Sequence, residues 1–163
     1  MTRCCRWFGV LPLVWGAAIA SYPFFGKTSE TAGRLLALQG DCSIKELQRR
    51  MAEQYGDRSG IERAVTRVVQ TQTSWNALSR DETAKRVIKL QAVLIDDDEL
   101  TAWLIEAAVR YAGKPVSVPS LQSLPVLFPF TLTRPLAYLA SNSPDLVLRS
   151  EGPSSQFVEL KRR

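Results

Sequence analysis

The sequence predicts an α+β fold: a winged helix-turn-helix core followed by a small C-terminal α/β element. Three observations lead there. Two helical segments each open on a Ser-x-x-Glu signal, Ser43 to Glu46 and Ser59 to Glu62, and only a short turn separates them. After the second, a polar stretch (residues 79–84) runs into the β-branched, alternating residues 85–90, which reads as strand, turn and returning strand. Near the end, residues 145–149 and 156–160 form two short apolar runs facing each other across Gly152-Pro153, a terminal hairpin.

The amino terminus has two readings. Arg3 and Arg6 precede an uncharged run from Trp7 to Gly26, and Lys27 follows it. A basic start, an apolar stretch and Ala18-Ile19-Ala20 before Ser21 are the parts of an export signal, and the run approaches the roughly 20 residues that span a bilayer. Against this, Pro12 and Pro23 interrupt the run, and Gly9 and Gly16 weaken it. Trp7, Phe8, Trp15, Tyr22, Phe24 and Phe25 are large, shape-specific residues of the kind a folded core uses. Residues 1–26 are therefore an apolar segment that is either a buried helix or a signal or anchor.

Residues 27–92 make the winged helix-turn-helix. Its first helix covers residues 29–39, with Thr28 or Ser29 as cap, Ala32, Leu35 and Leu36 on one face and Gly40 as its stop. The second begins at the Ser43 capping box, carries Ile44, Leu47, Met51 and Tyr55 along one face, and ends at Gly56. The third begins at the Ser59 capping box, and Ile61, Ala64, Val65, Val68 and Val69 make the cleanest apolar stripe in the chain. Residues 93–163 hold a further helix opened by Asp96, Asp97, Asp98 and Glu99 and stopped by Gly113, a proline-punctuated stretch, a short helix over 133–141 and the hairpin. The four acids suit the positive end of a helix dipole, a commoner role than metal binding.

Composition narrows the functions. The 163 residues are 45% hydrophobic and 23% charged, an ordinary globular mixture able to bury a core unaided. The absence of histidine removes His-based acid–base chemistry and His metal ligands. Cys4, Cys5 and Cys42 form neither a zinc pattern nor a disulfide framework. No Gly-rich phosphate loop and no activated nucleophile stand out, so the expectation is a non-enzymatic protein without cofactor or metal.

The net charge of +5 allows an anionic partner. Residues 43–91 carry ten positive and six negative side chains, and so hold four of those five charges. On the third helix, opposite the valines, Arg63, Thr66, Arg67 and Gln70 share one side, and these are the residue types that read base edges. Ser59 and Gly60 stand at the helix start, where free N–H groups meet phosphates. Arg80, Lys85, Arg86 and Lys89 lie in the wing, suited to backbone contact. Double-stranded DNA is the expected partner, in the cytoplasm. Two alternatives stay open: an exported or inner-membrane-anchored domain that binds protein, and a winged-helix interaction subunit of a larger complex.

A resemblance rests on several runs: Ala20-Ser21-Tyr22-Pro23-Phe24-Phe25, Gly33-Arg34-Leu35-Leu36 with Leu38-Gln39-Gly40, Gln54-Tyr55-Gly56-Asp57-Arg58-Ser59, Trp75, and Leu127-Phe128-Pro129-Phe130. With these the chain resembles, over nearly its whole length, a family of bacterial winged helix-turn-helix proteins of unassigned activity, associated with phage defence. The resemblance implies a cytoplasmic protein with the stretch before Tyr22 inside the folded domain. It carries no functional residues over, since the family has no assigned site. The apolar amino terminus and the absence of a glycine at the wing tip depart from the family pattern.

Overall fold

The computed structural model describes residues 9–56, 60–152 and 155–161, and its fold is α+β. Ser59, Cys4, Cys5, Trp7, Phe8 and Pro153 lie outside the described residues.

The apolar amino-terminal run is divided between two helices. Helix α1 spans Val10–Ser21 and α2 spans Pro23–Gln39. Pro12 falls in the first turn of α1, where the missing N–H has no intrahelical partner to lose. Pro23 does not merely interrupt. It forces Tyr22 out of the helical region (φ −122°, ψ 92°), so that Tyr22 ends α1 and Pro23 starts α2. Helix α2 thus begins six residues before the expected 29. Thr28 and Ser29 are interior residues, not caps, and donate to the carbonyls of Phe24 and Phe25, each at 2.8 Å. Gly40, at φ +79°, stops α2 as expected, its N–H reaching Leu36 O.

Strand β1 (Asp41–Ser43) leads into α3 (Ile44–Tyr55), and α4 (Ile61–Ser74) is the next described helix. Ser43 caps α3 by accepting from Glu46 N at 3.1 Å. The other half of the expected box is not made, because the Glu46 carboxylate turns to Arg49 and Arg50 instead. The cap of α4 is Gly60, at φ +120°, a conformation open to glycine and strained for any residue with a Cβ. Strands β2 (Leu78–Asp81) and β3 (Arg86–Lys89) are the expected hairpin. No glycine is needed at its tip. Lys85 takes the positive φ (51°), and Asp81 Oδ1 accepts from Thr83 N and Ala84 N at 2.9 and 3.0 Å. β1 joins the hairpin in the order β1-β3-β2, all antiparallel.

The remainder alternates strand and helix. Strand β4 (Val93–Ile95) precedes α5 (Asp98–Ala112), whose cap is Asp97, accepting from Leu100 N at 2.8 Å. Beyond Gly113 come β5 (Val116–Ser117), α6 (Val118–Gln122), a 3₁₀ turn at Pro125–Leu127, β6 (Phe130–Leu132), α7 (Leu136–Asn142), β7 (Leu146–Ser150) and β8 (Gln156–Leu160). β4 pairs with β6 in parallel, and β7 and β8 form the expected hairpin, extended by β5. The short helix thus starts at Leu136, since Pro135 is its cap, rather than at 133.

One apolar cluster runs through all of this. At its centre is Trp15 of α1, with no exposed surface. Phe25, Trp75, Phe128 and Phe130 surround it edge-on at 5.3–6.3 Å, and its indole N–H donates to Val126 O at 3.0 Å. Among the described residues, no helix is long and apolar enough to cross a membrane. A buried polar link ties α4 to α2: Gln72 Nε2 donates to Ser29 Oγ at 2.8 Å.

Candidate functional site

The apolar stripe of α4 turns Val65 and Val69 into the core and leaves the opposite side in solvent. On that side Arg63, Thr66, Arg67 and Gln70 come together. With Gln48 of α3 and Glu62 they line one shallow depression of about 320 Å³. Gln48 fixes the two helices to each other, its Nε2 donating to Thr66 Oγ1 and to Glu62 O, both at 3.2 Å. Thr66 Oγ1 donates in turn to Glu62 O at 2.8 Å, so the hydroxyl is engaged at both ends. Arg63, Arg67 and Gln70 are exposed, and neither arginine has an ion pair among the described residues.

The other basic residues divide into engaged and free. Arg49 bonds Glu46 and Glu53, and Arg50 bonds Glu46. The hydrogen bonds from Arg49 and Arg50 hold the Glu46 carboxyl down at about 2. Arg86 forks onto Asp41 at 2.6 and 2.7 Å across β3 and β1, and this holds Asp41 below the usual aspartate value. Arg80 lies 3.2 Å from Glu82 without hydrogen-bond geometry. Arg86, expected to face a ligand, is thus bonded to Asp41 of β1, and Arg80, expected likewise, stands beside Glu82. Lys85 and Lys89 are exposed and without ion pairs among the described residues, as is Lys45 at the start of α3. Cys42 is buried between these elements, and its burial pushes the thiol up to about 11, so it stays protonated at neutral pH.

A second concavity, of about 730 Å³, went unforeseen in the sequence. It lies between α2, the end of α3, α5 and the segment from Lys114 to Val126. At its wall Glu30 is held from three sides. Its Oε2 accepts from the Tyr111 hydroxyl at 2.7 Å and from Lys27 Nζ at 3.0 Å, and its Oε1 accepts from Arg34. The Lys27-Glu30-Arg34 spacing of i, i+3 and i+7 was a visible sign, but the same spacing is routine on solvated helix faces.

These contacts make Glu30 a pH-sensitive part of the fold. Burial works to raise its pKa, but the hydrogen bonds from Tyr111 and Lys27 and the charges of Arg34 and Lys27 outweigh it, so the folded value lies below 4.5. The same burial, then the bond to Glu30 and its charge, push Tyr111 up and keep it a phenol. A depressed carboxyl stabilises the fold above its unfolded pKa and loses that contribution as pH falls through the folded value. Stability should therefore fall below about pH 4.5 more steeply in the parent than in Glu30→Gln. Urea midpoints across that range measure it, and identical slopes in the two proteins would refute the role given to Glu30.

No protein-family model matches the chain, and no curated protein and no solved structure matches it either.

Proposed function

We propose that the chain is a non-enzymatic DNA-binding regulatory protein whose α2–β3 unit is a winged helix-turn-helix. In this reading α4 enters the major groove and the β2–β3 hairpin is the wing. The observation that carries it is the outer side of α4. Arg63 and Arg67 stand there exposed and unneutralised among the described residues, one turn apart, beside Thr66 and Gln70. Two free arginines on one helical turn can each fork onto a guanine edge or a phosphate. Lys85 and Lys89 on the hairpin supply phosphate contacts, whereas Arg86 ties β3 to β1 through Asp41. Helix order, the small number of residues between α3 and α4 and the β1-β3-β2 sheet support the winged-helix assignment. The resemblance to winged helix-turn-helix proteins points the same way.

Fluorescence anisotropy with a pool of labelled duplexes tests the reading. Arg63→Ala combined with Arg67→Ala should weaken binding by at least about 30-fold, taking about 1 kcal/mol or more for each lost arginine contact. The far-UV spectrum and melting curve should not change, since both side chains are exposed and make no ion pair. Parent affinity should fall steeply with salt as counterions are released. Undiminished affinity in the double variant, or no duplex binding by the parent at low salt, would refute the assignment.

One observation favours a protein-interaction role instead. Ile88 and Leu90, on and just beyond β3, are 42% and 38% exposed and give the hairpin an apolar outer side. Capture of a partner that survives both nuclease and high salt, and is lost in Ile88→Glu, would favour that reading.

A further inference from the structure

We propose that the cleft between α2, α5 and residues 114–126 binds a small organic anion, with its charged group toward Lys27, Arg34 and Lys114 and its apolar body toward Val126 and Phe157. The inference is independent of whether α4 meets DNA.

The cleft's volume of about 730 Å³ lies in the range typical of small-molecule sites. Its charge is lopsided: three cationic side chains line it against the single carboxylate of Glu30. That carboxylate is not available to attract a cation. Both its oxygens are already taken, one by Tyr111 and Lys27 and the other by Arg34. Its effect is instead to aim Lys27 and Arg34 along the wall and to hold them there.

Each of those cations keeps donors to spare. An ammonium has three and a guanidinium five, and Glu30 uses one hydrogen bond from each. Lys114, at the mouth, is exposed and has no ion pair among the described residues. Ser117 and Ser120, 2.6 Å apart at the rim, share a hydrogen bond, which leaves one of their two hydroxyl hydrogens for an incoming acceptor. Ala108, Leu124, Val126 and Phe157 make the rest of the wall apolar. A lining that combines three cations with hydrocarbon suits an amphiphilic anion, and both carboxylates and phosphate monoesters have that chemistry.

Calorimetric titration of the full chain with phenylacetate, phenyl phosphate and the uncharged phenylacetamide tests this. Saturable binding of at least one anion at up to millimolar concentration is expected, with phenylacetamide at least about tenfold weaker. Preference for phenyl phosphate would assign the natural ligand to phosphate esters, and preference for phenylacetate to carboxylates. Lys114→Glu should weaken the anion at least about tenfold, and Lys114→Gln by less, at unchanged melting temperature. Lys45→Glu makes the same change of net charge at the start of α3, away from the cleft, and should leave the titration as in the parent. The proposal is overturned if neither anion binds, if phenylacetamide binds equally well, or if Lys45→Glu and Lys114→Glu weaken binding alike.

Discussion

Trp15→Ala is expected to destabilise the fold by about 3–5 kcal/mol, the usual cost of removing a fully enclosed large aromatic side chain. Three contributions coincide at this residue. The indole has no exposed surface, four aromatic rings meet it edge-on, and its N–H is bonded to Val126 O at 3.0 Å. Alanine removes the buried area and the ring contacts and leaves the Val126 carbonyl without that partner. At about 2–4 °C per kcal/mol for a chain of this size, the melting temperature should fall by roughly 6–20 °C. Trp103→Ala serves as the comparison, because the Trp103 indole makes an exposed bond to Leu13 O, at 3.3 Å, and its loss should cost less. Urea denaturation of both variants measures this. A cost below about 1 kcal/mol for Trp15→Ala would detach α1 from the core and bring back the export-signal reading.

Gly33→Ala should be the next most damaging single substitution. Alanine ordinarily favours a helix over glycine by about 1 kcal/mol, so an exposed position would gain stability. Here an added Cβ would stand 2.1 Å from Pro125 O, 2.9 Å from Pro125 C and 3.1 Å from Phe128 Cβ. The nearest atoms are backbone and cannot rotate away, so α2 or the 3₁₀ turn has to shift. Overpacking of this kind costs about 1–3 kcal/mol and occasionally more. A net loss of about 2 kcal/mol is expected, from the upper end of that range after the helical gain is subtracted. Gly26→Ala meets the ring edge of Tyr111 at 2.4 Å, a side chain with more freedom to move, and should cost less. Chemical denaturation ranks the two, and a stabilised Gly33→Ala would show that α2 and Pro125 are not in close contact.

How much of this could be read from the sequence follows from the range of the forces involved. Helices α3 and α4 were legible because Ile44, Leu47 and Met51, then Ile61, Val65 and Val69, repeat with the helical period. Both hairpins were legible from local alternation and turn residues. Strand β1 was not. Asp41-Cys42-Ser43 is too short to show a period, and its partner Arg86 lies 45 residues away. The parallel pair β4–β6 failed the same test, since segments of three residues fit a strand or a helix equally. Pro23 signalled a boundary but not its sense, and the structure uses it to start a helix. The arginines of α4 lay within one periodic segment and were found together. The anion cleft draws on four separate stretches of chain, so no local pattern announced it.

The bond between Trp15 and Val126 also sets a schedule for the growing chain. Its two ends are 111 residues apart. At the roughly 5–20 residues per second of synthesis, the indole waits roughly 6–22 s before its partner exists. Phe128 and Phe130 come later still. The unit from β1 to β3 closes over a much shorter stretch, residues 41–89, and so gains its own contacts earlier. Helix α1 therefore spends that interval without the partners that complete the enclosure of Trp15, open to any factor at the ribosome that recognises emerging hydrophobic segments.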